Sequence, residues 1–106
     1  MDQAKSDIST VSGMPGYSDL ELMIERLLLA QIFQDTSTRL GLNQAEVAHL
    51  LGASQAKVSM IMQGKVYGIG EWRLIKYLNK LGLAVDVVIR RPKRNISPAK
   101  TRIIVK

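Results

Sequence analysis

QAEVAHLLGASQAKVSMIMQ, residues 44–63, lays out two short helices joined by a three-residue corner, with side-chain sizes set where such a corner needs them. Asn43 precedes the first apolar-periodic residue as an N-cap, and Glu46 follows three positions later, the spacing of a capping box. Val47, Leu50 and Leu51 recur at i, i+3 and i+4, which predicts one shared inward face. Gly52 then supplies a residue without a Cβ where the chain must turn sharply. Ser54 is a second N-cap, and Val58, Ile61 and Met62 form the next apolar stripe until Gly64 ends it. Two helices of about two turns each do not persist alone in water, so they must pack on each other and on further elements. Ala48, midway along the first, keeps their crossing close. With Val58 and Ile61 inward, Gln55, Ala56, Ser59, Met60 and Gln63 fall on the outer face of the second helix, which holds no acid. Amides, a hydroxyl and small apolar groups can meet base edges in a major groove without repelling phosphate.

QAEVAHLLGASQAKVS followed by MIMQGK resembles the helix-turn-helix of the lambda-repressor-like XRE family, through Gln44, Ala48, Gly52, Val58, Ile61 and the closing Gln63, Gly64 and Lys65. The longer stretch 20–91, ending in LIKYLNKLG and the strand-like LAVDVVIRR, is similar to the small single-domain regulators often encoded beside a toxin, the HigA-type antitoxins. The resemblance implies a mainly α fold, a lambda-repressor-like helix-turn-helix bundle of four to five helices with one C-terminal β-strand. It implies double-stranded DNA as a partner and, through the subgroup, a small ribonuclease-type toxin as another. Gln44 resembles the family's phosphate clamp, while Ala56 takes a site where many relatives carry a longer polar side chain.

With 106 residues, the chain has the length of one domain and a modest core. It has no cysteine, so neither a disulfide framework nor a thiolate metal site can form. The longest apolar run, 27–30, is far too short to span a bilayer, and the first residues lack the basic-then-apolar order of a signal peptide. A soluble cytoplasmic protein, associated with the nucleoid and with no membrane partner, is expected.

Charge is concentrated rather than spread. Residues 1–18 hold Asp2, Lys5 and Asp7, and residues 19–89 balance seven acids against seven bases. Residues 90–106 hold Arg90, Arg91, Lys93, Arg94, Lys100, Arg102 and Lys106 with no acid, so the net charge of +6 is largely that of the tail. Such a run either adds non-specific affinity for phosphate or serves only to solubilise the chain.

Punctuation divides the chain into a leader (1–18), a DNA-binding domain with a dimerisation strand (19–91) and a basic tail (92–106). The leader, rich in Ser and Gly without sustained period, is expected to be disordered up to an N-cap at Ser18 or Asp19. Leu20, Met23, Ile24, Leu27, Leu28 and Ile32 predict a long helix over 20–40, ended by Gly41. Its apolar face is broad, which means either burial on more than one side or a surface kept for a partner. A loop with two glycines, 65–70, precedes a helix over 71–81 whose Trp72, Leu74, Ile75, Leu78 and Leu81 are spaced to face the core. Glu71 and Lys80 suit its dipole, and Gly82 is placed to end it. Leu83, Val85, Val87 and Ile89 then alternate with Ala84, Asp86, Val88 and Arg90, which predicts a strand. With all other segments helix or loop, its available partner is its own copy across a two-fold axis, in a homodimer. Pro92 ends it, and the closing RIIVK is either a second short strand or a segment awaiting a partner protein.

The candidate DNA-binding residues are Gln44, Ser54, Gln55, Ala56, Lys57, Ser59, Met60, Gln63 and Lys65, and the candidate dimerisation residues are Leu83, Val85, Val87 and Ile89. Gln55, first on the reading helix, can donate to and accept from adenine. Ala56 and Met60 can touch a thymine methyl, Ser59 a base or a phosphate, and Lys57 and Lys65 neutralise phosphate. No catalytic or metal site and no cofactor are expected: His49 is the single histidine, and Asp19, Glu21 and Glu25 are placed as dipole-complementing charges at a helix start. The expected function is therefore that of a dimeric repressor. An antitoxin of a toxin pair and a stand-alone or phage-type repressor both fit it, with an enzyme as the remote alternative.

Overall fold

Two helix starts in this chain fall where a side chain accepts from an orphaned backbone N–H. A computed structural model describes residues 19–92 and 98–106, and holds four helices there: α1 (Asp19–Arg39), α2 (Gln44–Leu51), α3 (Gln55–Met62) and α4 (Glu71–Lys80). The readings of residues 1–18 as a leader and of Lys93 and Arg94 as part of the basic tail lie outside the described residues. Asn43 Oδ1 accepts from the Glu46 N–H at 2.8 Å, and Glu46 Oε1 accepts from the Asn43 N–H at 2.9 Å, which closes the capping box. Gly52 ends α2 in the left-handed region at φ 66°, and Ser54 Oγ caps α3 by accepting from the Lys57 N–H at 3.1 Å.

One core gathers a face from each helix. α1 contributes Leu29, Ala30, Phe33 and Ser37, α2 Val47, Ala48 and Leu51, α3 Val58 and Ile61, and α4 Leu74, Tyr77 and Leu78. Val66 and Ile69 from the loop before α4 are buried with them. Two spacing-based expectations fail here. Leu50 is 46% exposed while Ala48 is buried, because α3 crosses close to α2 on its Val47, Ala48 and Leu51 side. Trp72 is 65% exposed, since it lies two residues, about 200° of rotation, from the inward Leu74. On α1, Leu20, Ile24, Leu27 and Leu28 are exposed.

The expected C-terminal strand is not formed: among the described residues there is no strand, and residues 83–91 have no ladder. Leu83, the expected first strand residue, spends its backbone on the end of α4. Its N–H donates to the Leu78 carbonyl and its carbonyl accepts from Asn79 Nδ2, each at 3.0 Å. The rest of the segment meets no second edge, and a strand without one has no ladder to enter. Period-two burial does survive over four residues, with Leu83 and Val85 half-buried and Ala84 and Asp86 exposed.

The chain divides into two compact units. Arg26–Asp86 contains every buried apolar residue named above. The other comprises, of the described residues, 19–25, 87–92 and 98–106; Val87, Ile89, Ile104 and Val105 are exposed in it, and Lys100 Nζ pairs with Glu21 Oε2 at 3.4 Å.

Candidate nucleic-acid interface

α3 is fastened from three sides, and that fixes which of its residues remain outside. Val58 and Ile61 are fully buried, which sets the rotation of the helix about its axis. Gln34 Nε2 of α1 donates to the Ile61 carbonyl at 3.0 Å, satisfying one of the last carbonyls of α3. Past the end, Gly64 turns at φ 76° and the Lys65 N–H returns to the Met60 carbonyl at 2.8 Å. At the other end, α2 is held by Lys80 Nζ of α4, which donates to the Leu51 carbonyl at 3.0 Å. Arg26 of α1 ties the loop and α4 together, its Nε 3.3 Å from Glu71 Oε1 and its Nη1 donating to the Tyr67 carbonyl at 3.2 Å.

What remains outside is the face anticipated from periodicity. Gln55, Ala56, Met60 and Gln63 are exposed, and Lys57 and Ser59 are half-buried. Gln63 Nε2 donates to Ser59 Oγ at 3.1 Å, so these two side chains already form one polar unit. Ser54 is exposed but its oxygen is engaged as the cap, which gives it a structural task at the start of α3. Gln44, the first residue of α2, is half-buried; Lys65, just past Gly64, is exposed. A helix of eight residues is about 12 Å long, close to the width of a B-DNA major groove. From Gln55 to Lys65 there is no acid. Among the dimerisation candidates Val87 and Ile89 are 62% and 86% exposed, and Leu83 and Val85 half-buried.

Three exposed cations of α4, Arg73, Lys76 and Lys80, were not among the candidates. Their i, i+3, i+7 spacing is the sequence signal that places them on one face of the helix. His49 is exposed at the end of α2, and among the described residues no group of three or more acidic or histidine side chains could hold a metal ion. No described helix is long and apolar enough to cross a membrane.

A family model described as a helix-turn-helix domain matches residues 15–90 of the chain. No curated protein matches. A solved structure provisionally titled an XRE family transcriptional regulator is similar with a TM-score of 0.75 and 33% sequence identity, covering 83% of this chain and 99% of its own.

Proposed function

The chain belongs to the XRE-like helix-turn-helix family of DNA-binding transcriptional regulators, and from that premise we propose that it represses transcription by reading an inverted-repeat operator as a homodimer. The observation that carries the reading is the outer face of α3: exposed, free of acid and held in a fixed rotation by Val58 and Ile61. Gln55 reads a base, Ala56 and Met60 meet thymine methyls, the paired Ser59 and Gln63 reach a base or a phosphate, and Gln44, Lys57 and Lys65 hold the backbone. Strands of two copies pair over residues 83–91, which gives the segment the edge that a single chain lacks. No catalytic step enters this reading, and the protein works in the cytoplasm on nucleoid DNA.

With a duplex selected by the wild-type protein from a random pool, Gln55→Ala should weaken operator binding by about 1–3 kcal/mol and leave random DNA little changed. Equal loss on both would remove Gln55 from the base contacts.

An antitoxin role is the second reading. It is favoured by the outer side of α1, where Leu27 and Leu28 stand 43% and 41% exposed on a surface that a small ribonuclease-type toxin would cover. Co-purification from the native operon decides it: a stand-alone or phage-type repressor recovers no toxin.

A further inference from the structure

The reading face of α3 is nearly neutral, with Lys57 its single charge between Gln55 and Gln63. Affinity for duplex DNA comes in large part from cations on phosphates, so most of the neutralising charge must stand elsewhere. α4 carries a set of the right kind. Arg73, Lys76 and Lys80 fall within about 60° of one helix face and extend about 10 Å along it. All three are exposed, and with Trp72, Gly52 and the buried Leu51 and Tyr77 they line a groove of about 440 Å³. No acid lines the groove. Arg73 and Lys76 have no ion-pair partner among the described residues, and Lys80 Nζ is bonded to a carbonyl, which leaves its charge uncompensated.

We propose that this groove is a second DNA contact, gripping the phosphate backbone beside the bases that α3 reads. The proposal rests on the DNA-binding reading above and adds to it a surface outside the helix-turn-helix. Gly52 on the groove's rim is two residues from Ser54, the cap of α3, and so no more than about 7 Å from the start of the reading helix. Trp72, 65% exposed, offers an indole N–H to a phosphate oxygen and a flat apolar face to a sugar. An acidic protein segment fits less well. Such a partner seats apolar anchors in pockets, whereas Leu51 and Tyr77 on the groove floor are only 2% and 7% exposed.

The test measures binding of the full chain to the selected operator duplex and to a scrambled duplex over a series of salt concentrations. In the variant Arg73→Gln with Lys76→Gln, Lys80 is kept because its ammonium ties α4 to α2. With two cations removed from each of two protomers, the slope of log K against log salt should fall by about four per bound dimer on both duplexes, with the preference for the operator unchanged. Arg73→Lys with Lys76→Arg should keep the wild-type slope, and equal thermal midpoints should show that all variants fold. A double glutamine variant that keeps wild-type slope and affinity overturns the groove contact and leaves α3 reading intact, as does a loss confined to the operator. A wild-type chain that binds neither duplex overturns the DNA-binding reading itself, and the groove contact with it.

Discussion

The corner between α2 and α3 and the segment from Leu83 onward are both short, apolar in part and readable as elements, yet only the first is built by the chain alone. At the corner, three orphaned backbone groups find a partner within five residues: Glu46 N–H on Asn43, Lys57 N–H on Ser54, Ala53 N–H on the Ala48 carbonyl. Val47, Val58 and Ile61 then bury their side chains almost completely. In the C-terminal segment the apolar residues exist but their coverage does not, with Val87, Val88 and Ile89 at 62%, 69% and 86% exposure. A helix closes its hydrogen bonds within itself; a strand borrows them. The chain's own sequence is therefore a sufficient instruction for the corner and an incomplete one for the segment.

The largest way to break this contrast is to remove a corner side chain. Ile61→Ala deletes a fully buried group against Val58 and the other helices, and should cost about 2–5 kcal/mol of unfolding free energy in denaturant titration. The same change at Ile104, 59% exposed, should stay within about 0.5 kcal/mol. If the two cost the same, the division between a self-sufficient unit and a dependent one is wrong.

Gly52→Ala sharpens the comparison on the backbone side. A Cβ there would meet nothing nearer than Lys80 Nζ at 4.0 Å, so crowding is absent and the cost comes from holding φ at +66°. About 1–2 kcal/mol of destabilisation is expected, read as a lowered urea midpoint at unchanged m-value. No loss would mean that the corner is freer than its geometry suggests.

The same contrast explains what could be read beforehand. Caps at Asn43 and Ser54 and the turn at Gly52 are local chemistry, and they stand where residue type and spacing place them. The outer face of α3 followed from the inward Val58 and Ile61. Periodicity could not choose among equally apolar faces, however. Trp72 is spaced as an inward residue, yet Tyr77, 7% exposed, is the buried aromatic, because helical spacing does not say which arc meets a neighbour. Val66 and Ile69 sit in a loop with no period to reveal them, yet they plug the core at 0% and 5% exposure. The bonds from Gln34 to the Ile61 carbonyl and from Lys80 to the Leu51 carbonyl span 27 and 29 residues, beyond any local rule.

The smallest expected effect tests the comparison most directly. Ile89→Ser replaces a side chain that is 86% exposed in the single chain, so an isolated protomer should lose less than about 0.5 kcal/mol of stability. In a dimer paired over residues 83–91 the same residue joins an apolar face, and its loss must appear in association. Sedimentation across a dilution series should then show the variant dissociating at higher concentration than the wild type. Thermal midpoints of the two should converge as both are diluted, because coupling to assembly vanishes when assembly does. A midpoint depressed equally at every concentration would place Ile89 inside the protomer's own core and erase the distinction between the two regions. Identical dissociation of both proteins would instead move the dimer contact away from this segment, leaving its apolar residues to another partner.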